Sequence, residues 1–180
     1  MPGSTQILAK PSSKFIVEPQ QYSIFLGKGW ESDKLRSREP ELANLFTDIF
    51  DPVRLKTLEQ IGIKGSFSST NYEEKLIDVG TRGSISDLQI QSILTDYFKN
   101  FPPARPGDGT TFVVYLDADT SSTMADLVGG KHYAAYHNAF NAAGMKIRYV
   151  VVPYAEDLKA AARNAINAFL SATYDPDCAS

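Results

Sequence analysis

The sequence predicts a single α/β domain in which several helices pack against a mixed β-sheet. Two runs of aromatic and β-branched residues, TFVVYLD (111–117) and IRYVVV (147–152), are typical of strands buried on both faces. Apolar residues recur at helical spacing in 86–101 and 155–171, which predicts two amphipathic helices. A chain of 180 residues normally folds as one domain around one core.

The N-terminal half is predicted to supply one strand followed by a pair of helices. The aromatic and β-branched run in YSIFLGKGW (22–30) ends at glycines, so it predicts a strand over 22–28. ELANLFTDIF (41–50) has helical spacing after a proline. Asp51-Pro52 is typical of a helix start, and it predicts a second helix in VRLKTLEQIG (53–62).

The middle of the chain is predicted to contain short strands and loops. KGSFSST (64–70) and EKLIDVG (74–80) each predict a strand. DADTSSTMADLVGGK (117–131) is expected to be a polar loop. HYAAYHNAF (132–140) fits either a short helix or a strand.

Composition excludes two classes of partner. There are 18 Lys and Arg against 21 Asp and Glu, so the net charge of −3 provides no general attraction for nucleic-acid phosphates. No stretch approaches the roughly 20 apolar residues of a membrane span.

Cys178 is the only cysteine, so no intrachain disulfide can form. No signal peptide is expected, which places the protein inside the cell if Met1 is its natural start.

The two histidines, His132 and His137, are too poorly spaced to form a metal pair. Five residues apart, they would diverge by about 140° on a helix and lie on opposite faces of a strand. We therefore expect no metal or other cofactor at this pair. His132 is expected in a loop, and His137 is expected to be packed and hydrogen-bonded.

A second candidate cation site is the acidic segment DADTSSTMAD. Asp117, Asp119 and Asp126 supply carboxylates, but Ser122 stands where a calcium loop needs glycine and Val128 where it needs glutamate. A polar loop is the preferred interpretation, and a lone cation there is left open. The sequence contains no P-loop, G-x-S-x-G or G-x-G-x-x-G motif.

Several segments carry a family resemblance when they are taken in chain order: YSIFLGKGW, LFTDIFDPVRLKTLEQIGIKGSF, TFVVYLDAD, YAAYHNAF, IRYVVVPY and ATYDP. Together, over about residues 20–176, they resemble the phosphate-induced, exordium-like family. The resemblance implies a zincin-like α/β fold, and it implies secretion if the chain is a mature segment. Relatives carry His-Glu-Leu-x-Glu on the helix just before Thr-Asp-Pro.

This chain departs from the family pattern at that helix. Counted back from Asp175-Pro176, the relatives' His falls on Asn167, the following Glu on Ala168 and the later Glu on Ser171. Asn is a poor zinc ligand, and Ala cannot act as a general base. The resemblance therefore implies a degenerate site that assembles no metal-activated water.

Two functions are compatible with these observations. The first is a non-catalytic, zincin-like domain that serves binding or self-assembly, with an unknown protein or small ligand as partner. Residues 1–20 are expected to form an extended arm that links copies of the chain, and residues 21–180 form the domain. The alternative is a hydrolase with a relocated site that uses His137 as base and Asp117, Asp119 or Asp157 as its orienting acid, with a metal at the DADT loop (117–120) left open.

Overall fold

The computed structural model describes residues 16–48, 52–63, 69–71, 83–100, 107 and 109–175. Its strands are β1 (Gln20–Leu26), β2 (Ser69–Asn71), β3 (Gly83–Ser86), β4 (Thr110–Leu116), β5 (Thr120–Met124), β6 (Leu127–Val128), β7 (Tyr136–Ala142) and β8 (Met145–Val152). Its α-helices are α1 (Asp33–Arg36), α2 (Arg38–Asp48), α3 (Pro52–Gln60), α4 (Asp87–Asn100) and α5 (Leu158–Tyr174), and a 3₁₀ turn spans Lys28–Glu31. The α/β prediction is confirmed.

The main sheet has five strands in the order β2-β1-β4-β8-β7. The first four run parallel, and β7 pairs antiparallel with β8 at the edge. A smaller sheet has the order β3-β5-β6, with β3 and β5 parallel. The three predicted sheet segments 22–28, 111–117 and 147–152 correspond to β1, β4 and β8, which are adjacent.

Both faces of the main sheet are covered by apolar side chains. On one face, Val113 and Val150 pack in a cluster with Phe169 of α5 and with residues of α2 and α3. On the other face, Phe112 and Tyr149 belong to a cluster with residues of α4 and β3. Helices therefore lie on both sides of the parallel strands, as such sheets require.

The helices confirm the predicted segments, with different ends. Ser86 and Gln89 form a reciprocal capping box at the start of α4, with bonds of 2.8 and 3.3 Å. Helix α5 begins at Leu158 rather than at residue 155, because the Asp157 carboxylate accepts from the Lys159 N–H at 2.9 Å and caps it there. Helix α2 begins at Arg38, so Pro40 lies in its first turn. Proline is tolerated there because the N–H groups of a helix's first turn have no intrahelical acceptor to bond.

The prediction of a polar loop over residues 117–131 is wrong. This segment forms β5 and β6, which pair antiparallel through Thr123 with Val128 and Met124 with Leu127. The sequence did not indicate a strand here because β5 has few apolar residues. Its hydrogen-bonded ladder with β3 stabilises it instead. The segment 132–140 contributes the strand β7, and His137 lies within it.

Some predicted segments lie outside the described residues. These are 74–80, most of 64–70 and residues 1–15 of the expected arm. From Ile16 onward the chain is described, and the Ile16 N–H donates to the Thr173 carbonyl at 2.9 Å. Ile16 is buried, so this part of the predicted arm packs against the end of α5.

Truncation of a core side chain on each major helix should destabilise the protein. Leu94 is 1% exposed on α4 and Phe169 is 0% exposed on α5. Leu94→Ala and Phe169→Ala should each lower the free energy of unfolding by about 2–5 kcal/mol, measured by urea titration. Leu88→Ala is the matched control, since Leu88 lies on α4 and is 75% exposed. A neutral result at Leu94 or Phe169 would show that the helix face is misassigned.

Candidate binding pocket

A pocket of about 340 Å³ opens beside the carboxyl end of β8. Three parts of the chain form its wall: the turn that follows β6, the segment that leaves β8, and one side chain of α5. The lining residues are Gly130, Lys131, His132, Tyr133, Ala134, Pro153, Tyr154, Ala155 and Asn164. The carboxyl ends of parallel strands are a common place for ligand sites in α/β proteins.

The turn after β6 is fixed by close packing at Gly129. A Cβ atom at Gly129 would lie 2.4 Å from Ser122 Oγ and 2.7 Å from a ring carbon of Pro153, so no larger residue fits without movement. The Gly129 N–H donates to the Ser122 carbonyl at 2.8 Å. The Ser122 hydroxyl also lies 2.7 Å from that of Tyr133. The small sheet thus holds the turn against the strand that ends at the pocket.

The His132 ring is oriented by the main chain of the same turn. Its Nδ1 atom accepts a hydrogen bond from the Val128 N–H at 2.9 Å, while the His132 N–H donates to the Val128 carbonyl at 2.9 Å. Because Nδ1 accepts, the ring proton of the neutral imidazole is on Nε2. His132 therefore presents a hydrogen-bond donor from an exposed ring in the pocket wall.

Arg38 fixes the opposite wall from the first turn of α2. Its guanidinium donates to the Tyr154 hydroxyl at 2.7 Å, to the Ala155 carbonyl at 2.6 Å and to the Glu156 carbonyl at 3.1 Å. It also lies over the Tyr154 ring, 4.9 Å from the ring centre. Arg38 is only 9% exposed, so these bonds hold the segment after β8 with little competition from water.

Both tyrosine hydroxyls of the pocket are engaged in hydrogen bonds with residues outside it. The Tyr154 hydroxyl accepts from Arg38 and donates to Glu156, and this second bond is the main reason that the pKa of Tyr154 is raised. Burial raises the pKa of Tyr133, whose hydroxyl is bonded to Ser122. Both side chains are therefore neutral near pH 7, and their rings supply apolar wall.

The remaining polar groups of the lining are Lys131 and Asn164. Neither side chain forms a hydrogen bond or an ion pair with another residue that the structure describes. Lys131 supplies a positive charge, and Asn164 on α5 supplies an amide that can both donate and accept. Together with His132, they form the polar side of the pocket.

The other crevice expected in this topology is filled by a side chain. The strand order reverses between β1 and β4, since β2 lies on one side of β1 and β4 on the other. Asp117 follows β4 at this point, 2% exposed, and its Oδ2 accepts from the Gly29 N–H at 2.7 Å. Its Oδ1 has no hydrogen-bond partner within the described residues. Gly27 and Gly29 pack so closely against Asp117 that a Cβ atom on either would collide with it.

The residues of the predicted hydrolase site are not brought together. His137 pairs with Val150, and Val150 pairs with Val113, four residues before Asp117. With about 3.3 Å per residue along the strands and about 4.8 Å between them, His137 and Asp117 are roughly 16 Å apart. His137 is 3% exposed, whereas Asp119 is exposed in the turn after β4. At this separation, the His137 and Asp117 side chains do not share a site.

The three degenerate positions lie on α5 in two different environments. Asn167 and Ser171 are exposed, and the Ser171 hydroxyl donates to the Asn167 carbonyl at 3.0 Å. Ala168 is buried in the apolar cluster beneath the helix. A glutamate at position 168 would therefore enter the core rather than reach a metal-bound water.

The described part of the chain contains no cluster of metal-binding side chains. No three His, Cys, Asp or Glu side chains there are close enough to hold an ion. Asp126 is exposed in the turn between β5 and β6, whereas Asp117 and Asp119 flank the other end of β5, so the acidic segment does not close around a cation.

Among the described residues, no helix has the length and apolar content needed to cross a bilayer.

A second polar cluster surrounds Asp87 at the start of α4, on the other face of the sheet. Its Oδ1 accepts from the hydroxyls of Tyr136 at 2.7 Å and Tyr149 at 2.5 Å. Its Oδ2 accepts from the side-chain amides of Gln91 at 2.8 Å and Asn138 at 3.0 Å. All four donors are neutral and fixed, so the cluster attaches α4 to β7 and β8 and leaves little room for a ligand.

The tyrosines of this cluster are strongly held in their neutral form. Burial raises the pKa of Tyr136 and of Tyr149 well above the ordinary 10.0, and the hydrogen bonds to Asp87 raise it further. Burial likewise raises the pKa of Tyr115 on the opposite face. These hydroxyls therefore stay protonated near neutral pH.

No known protein family matches the chain, and no curated protein is significantly similar to it. The exordium-like assignment and the zincin-like part of the fold therefore stay predictions.

His132 was predicted to be a loop residue, but the pocket that it lines was not predicted. The turn glycines around it were a local signal for a fixed turn. Arg38 and Asn164 carried no such signal. Arg38 bonds to a carbonyl 117 residues away along the chain, and Asn164 meets the turn at 130–134 only after folding. Asp87 resembled an ordinary first-turn acid, and its tyrosine partners lie 49 and 62 residues further on.

Loss of the Asp87 carboxylate should destabilise the domain. Asp87→Asn replaces an oxygen that accepts bonds with an amide that donates, so buried donors lose their partner. We expect the free energy of unfolding to fall by about 2–3 kcal/mol in urea titration. Asp96→Asn on the same helix is the control, since its ion pair with Lys99 is exposed and should contribute little. Equal effects at both positions would contradict the structural role of Asp87.

Stability should decline at alkaline pH. The folded-state pKa values of Tyr115, Tyr136 and Tyr149 are raised, so the unfolded chain loses these protons first as pH rises above about 10. The stabilisation is therefore complete below that pH and decreases above it, by about 1.4 kcal/mol per pH unit for each tyrosine. Urea midpoints measured across this range, with tyrosinate absorbance, test it. Tyr136→Phe should make the dependence shallower, and an unchanged slope would contradict the assignment.

Proposed function

We propose that this protein is a non-catalytic binding domain whose site is the pocket at the carboxyl end of β8. The observation that carries the proposal is the fixed construction of its two walls. The turn after β6 is held by Gly129 and Ser122, and the segment after β8 is held by Arg38. Pre-formed concave sites with a few oriented polar groups are typical of ligand-binding pockets.

The chemistry of the lining favours binding over catalysis. A hydrolytic site needs a nucleophile or an activated water, a base near neutral pH and a group that orients the base. His132 is oriented by a main-chain N–H and lies beside no carboxylate that bonds to its ring, within the described residues. The tyrosine hydroxyls are neutral and already bonded. The pocket therefore offers recognition without a group that attacks a substrate.

The alternative hydrolase at His137 has no geometric support. His137 and Asp117 belong to strands separated by β8, and the register keeps them well apart. The self-assembly expected of residues 1–20 stays a prediction, since residues 1–15 lie outside the described part of the chain. The zincin-like ancestry is part of the same proposal, and it rests on the motif order and on the degenerate positions of α5.

Binding can be tested by nuclear magnetic resonance with a library of small fragments. We expect shifts of the amide signals of residues 130–134, 154, 155 and 164, and we expect the bound fragments to be recovered chemically unchanged. Ala134→Phe should reduce binding, because Ala134 lines the pocket and a phenyl ring would occupy part of it.

Leu88→Phe is the control for that substitution. It adds an aromatic ring at an exposed position on α4, which covers the opposite face of the sheet. Fragments that bind elsewhere, or a complete lack of binding, would contradict the proposed site. Turnover of any bound fragment would contradict the non-catalytic assignment.

A further inference from the structure

We infer that the ligand of this pocket is a small aromatic carboxylate, an inference that rests on the proposed binding function. Three properties of the lining support this ligand class. Lys131 and His132 can donate hydrogen bonds, four main-chain N–H groups of the turn are already used, and the remaining wall is mostly apolar and partly aromatic.

The donors are adjacent in sequence and lie in the same turn. Lys131 carries a positive charge and has no acceptor atom, and its side chain has no ion-pair partner among the described residues. His132 carries its ring proton on Nε2, because Nδ1 accepts the Val128 N–H. An ammonium and an imidazole N–H form a site for a negatively charged acceptor group.

Four main-chain N–H groups of the turn are already used in hydrogen bonds within the fold. The N–H groups of Gly129, Gly130, Lys131 and His132 donate to the carbonyls of Ser122, Tyr133, Val128 and Val128, respectively. Phosphate is commonly bound by several main-chain N–H groups at a loop or helix N-terminus. With those groups occupied, the site matches the single charge of a carboxylate better than the higher charge of a phosphate.

One acidic group beside the pocket, Glu156, is already paired with cations. Glu156 follows the pocket residue Ala155, and its carboxylate accepts from the Tyr154 hydroxyl and lies 3.6 Å from Lys34 Nζ and 4.0 Å from Arg38 Nη1. The hydrogen bond from Tyr154 and the charge of Lys34 lower the pKa of Glu156. Its charge is therefore balanced by these cations and does not cancel that of Lys131.

The rest of the wall suits a flat apolar body. Pro153, Ala134 and Ala155 have no side-chain polar atoms, and Tyr133 and Tyr154 use their hydroxyls outside the pocket. Arg38 lies over the Tyr154 ring and fixes it in place. A volume of about 340 Å³ is at the lower end for ligand pockets, so it fits a single ring with a short substituent. The Asn164 amide can bond a ring substituent or the second carboxylate oxygen.

Isothermal titration of the full chain with three probes tests the inference. Benzoate is the carboxylate probe, benzamide is its neutral counterpart of the same shape, and inorganic phosphate is the competing anion. We expect benzoate to bind at least about tenfold more tightly than benzamide, because a charge-assisted bond is lost with the amide. We expect phosphate to bind more weakly than benzoate.

Two variants separate the donors. Lys131→Gln and His132→Asn should each weaken benzoate binding about tenfold and leave benzamide binding unchanged. At position 132, asparagine keeps an acceptor for the Val128 N–H while it removes the distal donor, so the turn should be preserved. Lys99→Gln is the matched charge control, since Lys99 is exposed on α4 at the other face of the sheet.

The possible outcomes distinguish this inference from the proposed function. If benzamide binds as tightly as benzoate in the pocket, the binding function stands and the carboxylate inference is wrong. Tighter binding of phosphate, or equal losses in the Lys99 control, would also overturn the inference. If fragments occupy the pocket but benzoate does not bind, the inference is again wrong. If no fragment occupies the pocket, the proposed function itself is wrong.

Discussion

Every residue of β4 is buried, so both faces of the main sheet have to be covered by other parts of the chain. A parallel strand in that position cannot present one face to water, because its side chains alternate between two apolar layers. Helix α4 and the small sheet cover one layer, and α2, α3 and α5 cover the other. The burial of β4 therefore requires covering elements on both faces of the sheet.

The same constraint restricts polar chemistry to the strand ends and the sheet edge. At the edge, Asp87 accepts hydrogen bonds from the hydroxyls of two buried tyrosines. At the carboxyl end of β8, Arg38 satisfies two main-chain carbonyls and holds a ring in place. Both groups join segments that are distant in sequence, and the second of them holds one wall of the pocket in place.

The sequence predicts the elements whose pattern is local. Leu94 and Phe169 recur at helical spacing within their own segments, and the apolar runs of β4 and β8 need no partner to be recognised. Strand β5 was missed because TSSTM has few apolar residues, and its pairing with β3 depends on a contact about 37 residues away. The pocket was missed for the same reason, since its three wall segments are distant in sequence and meet only after folding.

The enclosure of the Asp117 carboxylate by Gly27 and Gly29 has a consequence for the divergence of related sequences. A Cβ atom at either glycine would overlap the carboxylate, and Gly27 also has a φ of +120° that other residues rarely adopt. A side chain at either glycine therefore requires a change at position 117, although nearly 90 residues separate the glycines from the aspartate. In an alignment of true homologues, a side chain at position 27 or 29 should appear only where position 117 has become smaller.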